Sequence, residues 1–168
     1  MLMEDLYSKP GHLLRRAHQI ATAIFTEVCG PWDLTSVQYA ALVAIGVNPG
    51  VDATRLSGLI AFDRSTLGGV LDRLEHKGLV IRSADPSDRR VKTLFLTDEG
   101  KSLLKQIETP VKAVQERLVE PLSAADRKTF LKLLSTLVVA HNSDLPASIR
   151  LSAGDTPDRG AKSRAPLD

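Results

Sequence analysis

"LDRLEHKGLVIRSADPSDRRVKTLFLTDEG", residues 71–100, decides how this chain is read. Its opening residues close a helix, with Leu71 and Leu74 on the apolar face and Gly78 supplying the left-handed stop. "LVIRS" reads as a short strand, and "VKTLFLT", apolar at Val91, Leu94 and Leu96, as a second. The residues between Arg82 and Val91 hold Pro86 and several turn-forming Asp and Ser residues. The two strands therefore make a hairpin with a long arm. At its tip stand two adjacent like charges, Arg89 and Arg90, just before the second strand.

Working outward toward the N-terminus, Asp63 caps the helix that the quoted stretch closes, "RSTLGGVLDRLEHKGL". Asp52 caps a shorter helix over about 53–60. Thr35 and Gln38 form a capping box that opens a helix running to the "NPG" stop at 48–50. Before it, "CGPW" breaks a first helix, over about Ser8–Val28, whose apolar residues Leu13, Ala17, Ile20, Ile24 and Val28 recur at helical spacing. Toward the C-terminus, Thr97 caps a long helix expected to bend at Pro110. "SAAD" at 123–126 opens the last helix, to about His141. From Asn142 the chain is polar and broken by prolines and glycines, so residues 143–168 are expected to be disordered.

Two central helices joined by a tight turn and followed by a hairpin make a winged helix-turn-helix. The expected fold is mainly α with a small β-hairpin: a winged helix-turn-helix DNA-binding lobe plus a helical region. One domain spans 1–142, with the lobe at about 34–97 and the flanking helices at about 8–29 and 98–142.

Composition agrees and excludes much else. A chain of 168 residues, 43% hydrophobic and 4% aromatic, suits a helical globular domain. No apolar run approaches the roughly 20 residues of a membrane span. The acidic N-terminus, broken by Pro10, is not a secretory signal. A single cysteine, Cys29, excludes an intrachain disulfide framework and a cysteine-based zinc site. A reducing cytoplasm is the expected compartment. His18 and His76 have no second ligand at metal spacing, so neither a metal nor a cofactor is expected. No nucleophile–base constellation or phosphate loop is present. "GVNPG" lacks the lysine of such a loop and "LGGV" is far from a dinucleotide motif, so the chain does not read as an enzyme.

With a formal net charge of only +2, any nucleic-acid role needs local clustering. Between Arg64 and Lys92 seven basic residues face four acidic ones, a balance larger than that of the whole chain. The opening turn of the fourth helix offers Arg64, Ser65 and Thr66 at the end that enters a major groove, where an arginine can donate two bonds to guanine. Gly68 and Gly69 are costly in a helix interior, by about 0.5–1 kcal/mol each relative to alanine. Either they admit a nucleic-acid backbone or they allow close helix packing. Arg73 can reach a phosphate or the wing-base Asp88; its alternative is an ordinary ion pair with Asp72 or Glu75. Arg89 and Arg90 repel one another, a cost that the focused negative potential of a narrow minor groove would explain.

These residues resemble those of the MarR family of transcriptional regulators over roughly 10–142, most specifically through the 71–100 stretch. The resemblance implies a homodimer with interlocked terminal helices and two wings gripping a pseudo-palindromic operator in double-stranded DNA. It implies DNA-binding roles for Arg64, Ser65, Thr66, Arg73, Asp88 and Arg90, with Asp88 orienting the arm and Arg90 entering the minor groove; Gly68, Arg89 and Lys92 join them as DNA-binding candidates on the helix-glycine and charge-clustering arguments. It also implies repression relieved by a small effector, often an aromatic acid, held between the dimerisation helices and the lobe. Candidates for that site are His12 and Arg16, neighbours at i, i+4 on the first helix, with Trp32 and Tyr39 as aromatic walls. Two alternatives stand beside this reading. One is a thiol-oxidation switch at Cys29, disfavoured because the cysteine sits at the negative end of a helix. The other is a helical interaction module that does not bind DNA.

Overall fold

Four helices begin at caps that the sequence supplies. The computed structural model describes residues 3–84 and 91–142. In it α1 spans Met3–Tyr7 and α2 Pro10–Cys29, followed by a 3-10 turn at Gly30–Trp32. Then come α3 (Ser36–Val47), β1 (Val51–Asp52), α4 (Ala53–Leu59) and α5 (Arg64–His76). The strands β2 (Val80–Ala84) and β3 (Lys92–Leu96) precede α6 (Asp98–Val119) and α7 (Ala124–Asn142).

The capping box of α3 is complete. Gln38 N donates to Thr35 Oγ1 at 3.3 Å, and Thr35 N donates to Gln38 Oε1 at 3.0 Å. Asp52 accepts from the backbone of Thr54 and Arg55 to open α4, Asp63 from Thr66 to open α5, and Thr97 from Gly100 to open α6. Each cap satisfies N–H groups that the first turn leaves without helical partners. The long first helix starts two residues later than expected, because Pro10 fits the first helical position while holding Lys9 extended. Pro110 lies inside α6, whose helical run continues on both sides.

Helix α5 ends in a double hydrogen bond around Gly78, whose φ is +69°. Leu79 N donates to Leu74 O at 3.0 Å and Gly78 N to Glu75 O at 2.9 Å, closing a Schellman motif. The chain then enters a three-stranded antiparallel sheet of order β1-β3-β2. The hairpin was legible in advance; β1 was not. This two-residue strand pairs Val51 with Leu94 and Asp52 with Thr93, too short to carry any periodicity.

Thr97 knots the lobe to α6. Its N–H donates to Leu79 O at 3.1 Å and its hydroxyl to Gly78 O at 2.7 Å. Gly100 lies against the same strand end, where a Cβ would stand 2.3 Å from Leu79 O. Only glycine fits that contact.

The core gathers Leu42 and Ile45 of α3, Leu56 of α4, Leu67 and Leu74 of α5, Leu94 of β3 and Ile107 of α6, all fully buried. Leu67, Val70, Leu71 and Leu74 face inward as their spacing requires. Helix α2 packs on α6 through its C-terminal half, where Phe25 and Cys29 are buried. Its N-terminal half is different: Leu13 is 54% exposed and Ile20 50%. Helix α7 has no buried residue at all, and Leu133 is 58% exposed. The corner before α7 is fastened by Arg127, whose guanidinium donates to Leu122 O (2.9 Å) and Glu120 O (3.2 Å).

Candidate nucleic-acid interface

The outer face of α5 follows from its inner one. With Leu67, Val70, Leu71 and Leu74 in the core, Arg64, Ser65, Thr66, Gly68, Gly69 and Arg73 are all exposed. Lys92 is exposed as well, opening β3 opposite Ala84. Asp88, Arg89 and Arg90 lie outside the described residues, as does the 143–168 tail.

A Cβ added at Gly68 or Gly69 would meet nothing within 4 Å. Close packing within the chain is therefore not what these glycines serve. They leave a flat strip of helix backbone open to a ligand from outside.

The opening turn of α5 is more committed than the sequence suggests. Ser65 Oγ donates to Asp63 Oδ2. Thr66 Oγ1 lies 3.2 Å from the same carboxylate oxygen and donates to Asp63 O at 3.0 Å. The Ser65 hydrogen bond is the main reason the Asp63 carboxyl ionises below its ordinary value; slight burial opposes it and the Thr66 bonds reinforce it. Each hydroxyl has one proton to give. While Asp63 holds those protons, the two hydroxyls face outward as acceptors.

The alternative pairing for Arg73 does not occur. Asp72 and Glu75 both go to Arg82 on β2, at 2.6 Å and 3.5 Å. Ten residues separate Asp72 from Arg82, and no local spacing rule links a helix to the strand after it. With its acids taken by Arg82, the exposed side of α5 keeps Arg64 and Arg73 as cations among the described residues. Lys77 turns elsewhere: its ammonium meets Asp33 Oδ2 at 2.8 Å and also the Asp33 carbonyl. That pair spans 44 residues, again invisible to spacing.

The four candidate effector residues fall into two groups. Trp32 and Tyr39 are partly buried against the core, Tyr39 with its ring 5.8 Å from Phe25. Burial is the chief cause that raises the Tyr39 hydroxyl above its ordinary pKa, so it stays a proton donor at neutral pH. His12 and Arg16 sit on the open N-terminal half of α2. His12 is half-buried with its ring 5.5 Å from Tyr7, and the Arg16 guanidinium donates to Gln19 at 3.2 Å. A shallow depression on α6, lined by Asp98, Glu99, Ser102, Leu103 and Gln106, includes none of the four. Cys29 is fully buried, and desolvation raises its thiol pKa. That is the reverse of what a reactive thiolate needs.

Comparison with known proteins joins these features. A family model described as the MarR family matches residues 34–92, from the start of α3 to the start of β3. The HTH-type transcriptional repressor NicR of Pseudomonas putida is 35% identical over 135 residues, covering 80% of this chain and 85% of that protein. The chain belongs to the MarR family. Among solved structures, the transcriptional repressor CouR bound to a 23-mer DNA duplex matches with a TM-score of 0.73 and 32% identity, over 82% of this chain and 97% of that one. BpsR of Bordetella bronchiseptica, from work on regulation of its DNA binding by 6-hydroxynicotinic acid, matches with a TM-score of 0.74 and 29% identity. That match covers 83% of this chain and 96% of the other. As a MarR-family member the chain is a DNA-binding transcriptional regulator with a winged-helix lobe, and not an enzyme. No helix among the described residues is long and apolar enough to cross a membrane.

Proposed function

We propose that this regulator is a cytoplasmic homodimeric repressor that binds a pseudo-palindromic operator and leaves it when a small aromatic acid binds. The observation that carries the DNA half is the open face of α5, with glycine backbone at 68–69 flanked by Arg64 and Arg73. On this reading Arg64, Ser65 and Thr66 read base edges, and Gly68 admits the sugar–phosphate backbone. Arg73 and Lys92 hold phosphates, and Arg89 and Arg90, oriented by Asp88, enter the minor groove. A gel-shift assay on the DNA upstream of the chain's own gene, at stated salt, tests it. Arg90→Ala is expected to cost about 1–3 kcal/mol of operator affinity. Equal binding by wild type and variant would remove Arg90 from this role.

The dimer is supported by apolar surface with nothing over it. Leu13, Leu14 and Ile20 of α2 and Phe130, Leu131, Leu133, Leu137 and Val138 of α7 are exposed in the single chain. Surfaces of this kind mark association sites. On this reading the lobe covers about 34–97 and the dimerisation helices about 8–29 and 98–142.

For the effector, Arg16 offers a guanidinium for a carboxylate, His12 a second polar group, and Trp32 and Tyr39 aromatic walls. BpsR and its 6-hydroxynicotinic acid supply the chemical class. Titrating 6-hydroxynicotinic acid and hydroxybenzoates should raise the melting temperature. A ligand at a hundred times its Kd adds about 2.7 kcal/mol to the native state. Arg16→Ala should abolish that rise; a rise left intact would discard Arg16 as the anchor.

A further inference from the structure

We propose that Lys77 is a positioning residue and not a DNA contact. Its ammonium ties the C-terminal end of the DNA-reading helix to the corner that carries Trp32, so that a displacement of Trp32 is passed to α5. The part concerning an effector rests on the function proposed above; the mechanical part does not.

By composition Lys77 belongs with the basic residues of the 64–92 segment, where a phosphate contact is the ordinary expectation. Its geometry says otherwise. The side chain is only 27% exposed, and its charge is met by both the carboxylate and the carbonyl of Asp33. An ammonium has three protons, and two are engaged there. The Lys77 hydrogen bond and charge in turn hold the Asp33 carboxyl below its ordinary pKa, so it is a carboxylate at neutral pH.

Asp33 is itself built for the task. It follows the 3-10 turn with φ +48°, a left-handed conformation that aspartate tolerates better than most residues, and its N–H donates to Gly30 O at 2.8 Å. Trp32, immediately before it, is packed on the core. A shift of the indole therefore has one peptide bond to cross before it reaches the atoms that hold Lys77.

At the other end, Lys77 is the C-cap of α5. The residues after it are gripped from the far side, with Thr97 Oγ1 bonded to Gly78 O and Gly100 pressed on Leu79. The end of α5 thus has one anchor at the start of α6, where Leu79 and Gly100 are buried against each other, and one exposed ionic anchor on the α2–α3 corner. Only the second can be released without unpacking the core, since the Asp33 side chain is 93% exposed.

The test uses the full chain and two readouts. The first is operator affinity against salt. Lys77→Met keeps the apolar stem and is expected to bind two- to fivefold more weakly with an unchanged salt slope. A slope reduced by about one would make Lys77 a phosphate contact and overturn the proposal, as would unchanged affinity. The second is hydrogen exchange of the amides of residues 74–79 without DNA. Trp32→Phe is expected to speed exchange there in the wild-type chain, to add nothing in the Lys77→Met background and to add less in the Asp33→Asn background. An equal effect in all three, or none in the wild type, would sink the coupling. Asp33→Asn removes the charge of the pair without touching α5 and leaves the backbone carbonyl in place, which guards against a variant that simply misfolds. Should the wild type fail to bind the upstream DNA, the repressor reading fails, and the exchange experiment alone decides the clamp.

Discussion

Glycines of one sequence neighbourhood carry opposite consequences when replaced. At Gly100 a methyl group has to displace the backbone of Leu79, for which no flexible side chain can yield. Gly100→Ala is expected to cost about 1–3 kcal/mol, as overpacking does. At Gly68 the same methyl enters open space on a helix, so Gly68→Ala should gain about 0.5–1 kcal/mol of stability. Urea unfolding of the two variants checks both signs. Operator affinity then separates the roles at position 68: a chain that is more stable yet binds DNA less well means that helix backbone touches the duplex. Nothing in the sequence distinguishes the two glycines. The difference lies in what stands opposite each: the backbone of Leu79 at Gly100 and open space at Gly68.

At the scale of elements, acid pH should act first at the Asp63 cap. The folded Asp63 ionises below its ordinary range of about 4, so its contribution is present above that range and fades as pH falls through the lowered folded value. Asp63→Asn keeps an N-cap acceptor without the charge. Urea midpoints of wild type and variant should therefore differ at neutral pH and converge under acid. A gap that persists at low pH would show that the cap works through shape and not charge. Much of this level was legible beforehand. Thr35, Asp52, Asp63 and Thr97 announce their helices because capping is a local rule, and Gly78 announces a stop for the same reason. The misses share a physical cause. Strand β1 exists only because β3 passes beside Val51. Arg82 finds Asp72 and Glu75, and Lys77 finds Asp33, through tertiary placement. The candidate DNA face was read residue by residue, but the capture of Ser65 and Thr66 protons by Asp63 required coordinates.

For the molecule as a whole, the unburied side chains of α7 set the expectation. Leu133 and Leu137 lie one helical turn apart and both are exposed in a single chain. Leu133→Glu should halve the molar mass seen by light scattering and weaken operator binding along with it, since half-sites one helical turn apart need two lobes. A variant that stays dimeric would move the interface away from α7. The structure also bears on how the lobe grips as a unit. Asp52 is at once the strand partner of Thr93 at the foot of the wing and the cap of α4, taking Thr54 N at 2.7 Å. The arm and the first helix of the DNA-binding pair therefore share a single amino acid as their joint. A tool with its handle and blade cast in one piece cannot adjust its grasp finger by finger. Base changes under the arm and under α5 should consequently be penalised together, through coupled and not independent losses.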